Sequence, residues 1–163
     1  MNQITAQQIS KIFLVACAAL FSSLVVFNNL TDYQTNFEYV RHVMTMDTTG
    51  NAVQSEWRAV HQPIIWKLVY GLIIALEAVV ALLCWAGVIQ MLSALRNSSF
   101  ASSKAFAIFG LSLGIAVWFG LFLGISGEWY LAWLSKSWNG IQPGFRIAAI
   151  FSLFLIYLCQ AER

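Results

Sequence analysis

The sequence has too few charged residues to cover a water-soluble domain. Asp, Glu, Lys and Arg together make up 10% of the 163 residues, whereas a soluble globular domain has about 25%. Hydrophobic residues make up 60%, and they occur in blocks of membrane-spanning length instead of alternating with polar residues at helix or strand period. The composition therefore predicts an integral membrane protein with no separate soluble domain.

Runs of basic residues are also missing. No two Lys or Arg residues are adjacent, and the formal net charge is only +2. Nucleic acids and anionic lipid surfaces are recognised through clustered positive charge. We therefore expect no nucleic-acid partner, and the lipid bilayer is the one partner that composition alone predicts.

The sequence lacks the residue spacings that mark metal and haem sites, and its serines and cysteines have no recognisable base partner. Cys17, Cys84 and Cys159 lie within apolar blocks and form no CxxC or Cys/His ligand pattern. His42 and His61 both fall in one long loop, whereas two axial haem ligands would lie on facing spans. HExxH and Gly-rich phosphate loops are absent, and Gly110-Leu111-Ser112-Leu113-Gly114 matches GxSxG only within an apolar block, with no strand before it. We therefore expect no cofactor, no metal site and no catalytic residue.

What the sequence does contain is apolar blocks that can cross a bilayer. A hydrocarbon core of about 30 Å needs roughly 20 mainly apolar helical residues. We predict spans at about residues 12–30, 64–95, 105–125 and 144–159, with long outer loops at residues 31–63 and 126–143. The predicted fold class is an all-α membrane protein, a four-transmembrane-helix bundle in which residues 1–163 form a single domain.

The two long loops have helix-like and interfacial patterns. In the first, apolar residues recur at the spacing of a helix face on both sides of a turn-like segment at residues 47–51: Tyr33, Phe37, Val40 and Met44, then Val53, Trp57 and Val60. We predict two short amphipathic helices folded over that end of the bundle. The second loop contains Trp129, Tyr130, Trp133 and Trp138, whose side chains favour the headgroup region.

Four spans place both termini on the same side of the membrane. Lys and Arg number four on the side of the termini and five on the side of the long loops, so their count does not decide the orientation. Two of the five, Lys67 and Arg146, lie at span ends, and the amino terminus adds a positive charge to its own side. We therefore predict that the termini are cytoplasmic.

Two ionisable residues, Glu77 and Arg146, fall within the predicted spans. An unpaired charge in hydrocarbon costs a few kcal/mol, so such residues usually have a partner or a function. Counted from the side of the termini, Glu77 lies about 28 Å deep and Arg146 about 21 Å, a difference that an arginine side chain or helix tilt can bridge. We predict that they face each other, either as a structural pair between the second and fourth spans or as a proton, ion or ligand site.

Polar residues also gather where the predicted spans meet the long loops. This rim contains Asn28, Asn29, Asp32, Lys67, Glu128 and Trp129. Polar side chains belong at span ends in any membrane protein, so a purely structural interpretation is open. The functional interpretation is a pocket, roofed by the amphipathic helices, that binds a lipid headgroup or a partner.

The third predicted span has small residues at helix-packing spacing. Gly110, Gly114, Gly120 and Gly124 form two pairs four residues apart, which let another helix approach the backbone closely. Packing within the bundle and packing between two copies of the chain are both open interpretations.

Short polar and aromatic motifs recur at the predicted rim and in the loops beside it. They are Asn28-Asn29, Asp32-Tyr33, His42-Val43, Met46-Asp47-Thr48, Trp57-Arg58, Glu77, Gly127-Glu128-Trp129, Trp133 and Trp138-Asn139-Gly140. In their order and positions, these motifs make almost the whole chain resemble a bacterial family of predicted small integral membrane proteins with a domain of unknown function. The resemblance implies four helices and a bacterial inner membrane, and it implies no established activity.

The sequence supports three functional hypotheses. The first is a non-catalytic accessory or interaction subunit of a membrane complex, because a short chain with no nucleophile paired to a base and no metal-ligand pattern offers surfaces more readily than a reaction. The alternative is a small transporter, or a lipid- or ligand-binding membrane protein, that uses the Glu77/Arg146 pair. A membrane enzyme with Glu128 and His42 as acid and base ranks third. The expected partner is another membrane protein or a second copy of the chain.

Overall fold

The computed structural model describes residues 2–50 and 53–162. Its helices are α1 (Gln3–Thr31), α2 (Tyr33–Thr45), α3 (Pro63–Ser93), α4 (Ala105–Ile115) and α5 (Ile141–Cys159). A π-helical segment, Ala116–Trp129, continues α4, and short 3-10 turns lie at Val53–Arg58, Ser98–Phe100, Ser102–Lys104 and Ala132–Leu134. The predicted domain limits at residues 1 and 163, and residue 51 of the predicted turn, lie outside the described residues.

Four helical stretches of the described chain are long and apolar enough to cross a membrane. They are Gln3–Thr31, Pro63–Ser93, Ser98–Trp129 and Ile141–Cys159. The predicted four-helix membrane bundle is therefore confirmed. The helices run beyond several predicted limits, because helical hydrogen bonding does not stop where apolar side chains stop. The first starts at Gln3, where the Asn2 side chain accepts a hydrogen bond from the Thr5 amide, and the last starts at Ile141.

The helices pack in chain order through close backbone approaches. α1 packs along α3, α3 along α4, and α4 with the π-helical segment along α5. A methyl group added at Gly87 would come within 2.6 Å of Ala107, and one at Gly110 within 2.7 Å of the Cys84 sulfur. A methyl group added at Gly114 would come within 2.5 Å of the Phe151 ring. Gly110 and Gly114, the first of the two glycine pairs in the third span, therefore serve helix packing within the bundle.

Gly120 and Gly124, the second glycine pair, have a different environment. A methyl group added at Gly120 would meet nothing within 4 Å, and one at Gly124 would meet only the Phe119 carbonyl of its own helix, among the described residues. These two glycines therefore make no close approach to another helix of the described chain.

At the end of the bundle that carries the termini, two buried lysines share one carboxylate. Lys11 and Lys104 are only 1% and 5% exposed. Their Nζ atoms lie 2.7 Å and 2.5 Å from Glu162 Oε1, and both also donate to the Gln160 carbonyl. This cluster ties α1 and the start of the third span to the chain that follows α5. Sequence reasoning used the lysines only for orientation and missed the cluster.

α2 covers the opposite end of the bundle, which we call the long-loop end. Its apolar face, Phe37, Val40 and Met44, packs on Tyr70 of α3, which confirms the first predicted amphipathic helix. The second forms only as the short turn Val53–Arg58. A longer helix is unfavourable there because Gln62, which precedes Pro63, has an extended backbone.

We predict that Gly87→Leu destabilises the bundle and that Gly120→Leu does not. The larger side chain at residue 87 must push α3 away from the backbone of Ala107, and overpacking of this kind costs about 1–3 kcal/mol or more. The measurement is the midpoint of thermal unfolding in detergent, followed by circular dichroism. Equal effects of the two substitutions would contradict the helix packing described above.

We predict that the Lys11/Lys104/Glu162 cluster stabilises the fold in a pH-dependent way. Burial raises the pKa of Glu162, but hydrogen bonds from Lys104 and Lys11 outweigh it and hold that pKa below its usual 4.5. Because the folded state has the lower pKa, the stabilisation is present above pH 4.5 and is lost as the pH falls below it.

Glu162→Gln should therefore lower stability by about 1–3 kcal/mol at neutral pH, less than for a fully buried pair, because Glu162 lies at the edge of the bundle. The difference from the unmodified chain should shrink as the pH falls through 4.5. Glu128→Gln is the control, since Glu128 is exposed and has no ion pair in the described chain. A pH-independent difference would rule out the ionic contribution.

Candidate functional site

A cavity of about 760 Å³ lies at the long-loop end of the bundle. Its volume is within the range of about 300–1,000 Å³ that is usual for small-molecule sites. It is lined by Phe21, Leu24, Val25, Asn28, Asn29, Thr35, Asn36, Tyr39, Val40, Tyr70, Ile73, Glu77, Trp118, Phe122, Ser137, Trp138, Asn139, Gly140, Pro143 and Ile147. Every spanning helix, α2 and the loop before α5 thus contribute to it.

The polar wall of the cavity is built by α1 and α3. Glu77 lies near the middle of α3 and is 4% exposed. Its Oε2 atom accepts a hydrogen bond of 2.6 Å from the Asn29 side-chain amide of α1. The Tyr70 hydroxyl donates to the Asn29 carbonyl at 3.1 Å and fixes the same residue. Tyr70 and Glu77 share a face of α3 because seven residues make about two helical turns.

The second oxygen of Glu77 has no comparable partner. Among the described residues, no donor lies within hydrogen-bond distance of Oε1, although Glu77 lines the cavity. The Asn36 side-chain nitrogen is buried beside the Tyr70 hydroxyl, and Asn36 lines the same cavity. Polar atoms at this depth are normally paired, so the Glu77 Oε1 atom marks a place where a ligand or water can bind.

The aromatic wall of the cavity is a continuous series of rings. Ring centroids are separated by 6.2 Å between Phe21 and Trp118, by 4.6 Å between Trp118 and Phe122, by 5.9 Å between Phe122 and Tyr39, and by 6.5 Å between Tyr39 and Trp138. Each residue of the series lines the cavity. A guest molecule would therefore meet ring faces and edges on this side.

The π-helical segment Ala116–Trp129 positions part of this aromatic wall. Its wider turns are closed by hydrogen bonds such as that from the Tyr130 amide to the Ile125 carbonyl, five residues back. Trp118 and Phe122 lie four residues apart, and their rings stack. π-Helical turns are uncommon and often occur at functional sites.

α2 and the loop before α5 form a roof over the cavity, and hydrogen bonds hold them in place. The Tyr39 hydroxyl lies 3.0 Å from the Ser126 hydroxyl, and the Thr48 hydroxyl lies 2.8 Å from that of Ser135. Gly140 packs directly against the Tyr39 hydroxyl, where a side chain would collide with it. Burial raises the pKa of the Tyr39 phenol, so it remains a neutral hydrogen-bonding group.

A charged network lies on the surface of this roof. The His42 ring stacks on Trp138 at 4.5 Å, and its two nitrogens contact Asp47 and Arg41. Arg41 also donates to Glu38, which holds the pKa of that carboxyl below its usual value. His42 is therefore part of the support of the cavity wall at Trp138.

The predicted pairing of Glu77 with Arg146 is wrong as a direct contact. Glu77 is buried and bonded to Asn29, whereas Arg146 is exposed and forms no ion pair within the described chain. Arg146 follows the first turn of α5, where its long side chain can reach the membrane surface. Its neighbour Ile147 lines the cavity, but Arg146 does not.

The structure brings together only part of the predicted rim. Asn28 and Asn29 line the cavity, whereas Asp32 precedes α2 and accepts a hydrogen bond from Thr35. Lys67 and Glu128 are exposed, and neither forms an ion pair with a described residue.

Trp129, the last member of the predicted rim, belongs to a separate surface cluster. Its carbonyl accepts a hydrogen bond from Arg58, whose guanidinium lies over the rings of Trp57 and Trp129 at 5.4 Å and 5.0 Å. Trp57 is 71% exposed. We call this the Trp57/Arg58/Trp129 cluster.

Sequence reasoning missed the aromatic half of the site. Tyr70 could have been found from its spacing of seven residues before Glu77, and Trp118 and Phe122 from their spacing of four. No spacing in the sequence indicates that Tyr39 and Trp138 line the cavity, because their positions depend on how the two long loops fold over the bundle. Groups of three or more Cys, His, Asp or Glu that could hold a metal ion do not occur among the described residues.

The comparisons with known proteins concern the whole chain and not this cavity alone. No curated protein and no solved structure matches the sequence significantly. The model of one family, described as predicted small integral membrane protein (DUF2165), matches residues 7–161. That match covers all four membrane helices except residues 3–6 of the first, together with every cavity-lining residue, so the chain belongs to the DUF2165 family of small integral membrane proteins.

Proposed function

We propose that this small integral membrane protein binds an amphipathic molecule in the cavity at the long-loop end. The observation that carries the proposal is the buried carboxylate of Glu77, which lines a cavity of about 760 Å³ and has one oxygen to which no described residue donates a hydrogen bond. Holding an ionisable group at this depth costs a few kcal/mol, so a role beyond structure is the default expectation. This deepens the alternative hypothesis of a lipid- or ligand-binding membrane protein, with Asn29 in place of Arg146 beside the carboxylate.

A second, apolar groove supports an amphipathic rather than a polar guest. It has a volume of about 210 Å³, lies between α1 and α5, and is lined by Cys17, Ala18, Phe21, Ile147, Ile150, Phe151 and Phe154. Phe21 and Ile147 also line the large cavity, so the two spaces adjoin. A headgroup in the cavity could therefore extend a hydrocarbon chain along the α1/α5 groove.

The side chains around the cavity also support entry from the membrane. Leu24 of α1 lines the cavity and is more than half exposed, and Pro143 of α5 is exposed as well. Because these residues lie in spanning helices, their exposed surface faces lipid. A guest could then enter sideways between α1 and α5 without crossing the roof.

We expect an amphiphile to co-purify with the chain and to be lost when the cavity is filled. Val25→Trp places an indole in the cavity, and Leu82→Trp adds the same side chain at an exposed position of α3 as the control. Both variants are extracted in a mild detergent, checked by circular dichroism, and analysed for bound small molecules by native mass spectrometry. Val25→Trp should lose the bound amphiphile and Leu82→Trp should keep it.

Two results would contradict the proposed function. One is a folded Val25→Trp variant that retains the bound molecule at the occupancy of the unmodified chain. The other is an unmodified chain that carries no amphiphile after extraction and takes up none when lipids are added back.

We also propose an accessory role in a membrane complex of a bacterial inner membrane, with cytoplasmic termini. The observation that favours it is the exposed Trp57/Arg58/Trp129 cluster, since Trp and Arg are enriched at protein interfaces. An indole at the headgroup region is also common in membrane proteins without partners, so the cluster requires a direct test.

A membrane-impermeant, amine-reactive cross-linker tests orientation and partner together. Applied to intact cells, it should modify Lys67 and Lys136, which are exposed at the long-loop end, and leave the buried Lys11 and Lys104 unmodified. A partner captured by the unmodified chain and lost from Trp57→Ala would support docking at the cluster. Modification of neither Lys67 nor Lys136 would contradict the orientation, and a chain without cross-links would contradict the accessory role.

A further inference from the structure

The charges around the cavity select among possible headgroups. Glu77 is the one acidic residue among the described residues that line the cavity, and no Lys, Arg or His lines it. An anionic headgroup would meet an uncompensated carboxylate at short range in a medium of low dielectric constant. A cation would compensate the carboxylate and could take the free Oε1 as its hydrogen-bond or ion-pair partner.

The aromatic wall has the same preference. Ring faces attract cations through their quadrupole, most strongly when water is excluded, and sites for alkylated ammonium groups are typically built from several rings. Phe21, Tyr39, Trp118, Phe122 and Trp138 form an unbroken series around the cavity, and Tyr70 adds a sixth ring beside Asn29. Neutral sugar or alcohol headgroups would leave the Glu77 carboxylate without a compensating charge.

We infer that the cavity binds amphiphiles with an ammonium headgroup, which contacts Glu77 and the aromatic wall while the hydrocarbon chain lies in the α1/α5 groove. This inference rests on the proposed function and names its ligand class. The ammonium can belong to a free alkylammonium compound or to the ethanolamine headgroup of a phospholipid. Both present the same positive nitrogen, and the phosphate of the lipid would have to remain outside the cavity because no basic residue lines it.

The test measures binding of decyltrimethylammonium to the purified full chain in a detergent with an uncharged sugar headgroup. Radiolabelled ligand and equilibrium dialysis give the affinity, and protein-free micelles correct for partitioning. Saturable binding that decyl sulfate does not compete for is expected. Competition by decyl sulfate at equal or higher affinity would overturn the ammonium preference.

Glu77→Gln should weaken decyltrimethylammonium binding at least tenfold, because it removes the charge and keeps the shape of the side chain. Glu128→Gln is the matched control, since it removes the same charge from an exposed residue that does not line the cavity, and it should leave the affinity unchanged. Equal effects of the two variants would overturn the assignment of Glu77.

A second substitution covers the case in which Glu77→Gln does not fold. Trp138 lies in the loop before α5 and not in a spanning helix, so Trp138→Leu should leave the bundle assembled. It should weaken decyltrimethylammonium about fivefold relative to uncharged decanol, which has no cation–π interaction to lose. Equal losses for the two ligands would contradict an aromatic contribution to headgroup selection.

The outcomes separate this inference from the proposed function. If Val25→Trp abolishes binding while the folded Glu77→Gln variant binds normally, the cavity binds ligands but does not select ammonium groups. If Val25→Trp has no effect on the binding of decyltrimethylammonium or decanol, both proposals fail.

Competition with phospholipids distinguishes the two sources of the ammonium group. Displacement of decyltrimethylammonium by phosphatidylethanolamine, and not by phosphatidylglycerol, would identify a lipid headgroup as the source. Lack of displacement by either lipid, with Glu77-dependent probe binding intact, would identify a free alkylammonium compound.

Discussion

Hydrocarbon offers no hydrogen-bond partner to a peptide group, so each segment that crosses the membrane must satisfy its own backbone. In the described chain, helical hydrogen bonding continues through all four spans, including the wider turns of the Ala116–Trp129 segment. The long irregular stretches lie between spans. The same requirement applies to polar side chains at depth, which have to find their partners on a neighbouring helix. Glu77 and Asn29 meet in this way across α3 and α1.

The two ends of the bundle solve the problem of buried charge differently. At the end with the termini, Lys11 and Lys104 share the Glu162 carboxylate and the Gln160 carbonyl, so each ammonium group has its partners within the protein. At the long-loop end, the Glu77 carboxylate is held by a neutral amide, and no described cation faces it across the cavity. The first arrangement stabilises the fold. The second leaves the Glu77 carboxylate to be compensated by a bound cation that the described chain itself does not supply.

Depth along the membrane normal was predictable for Glu77, but its partner was not. The distance from the end of a span follows from 1.5 Å per residue, and counting places Glu77 near the middle of α3, as the structure does. The direction in which a side chain points around its helix depends on how the helices are rotated against one another. Arg146 has a comparable depth but is exposed, whereas Asn29 points at the carboxylate. For the same reason, Lys11, Lys104 and Glu162 could not be paired from their positions in the sequence.

The sequence by itself determined the fold class, the four crossings and the first amphipathic helix, because hydropathy and helical spacing are local properties of the chain. It also singled out Glu77, since one carboxyl within an apolar block is visible without any structure. Only the tertiary structure decided what surrounds that carboxyl. Close approaches at Gly87, Gly110 and Gly114 set the rotation and separation of the helices, and the folded loops bring Tyr39 and Trp138 to the cavity. These contacts join residues far apart in the chain, and no periodicity of a single segment encodes them.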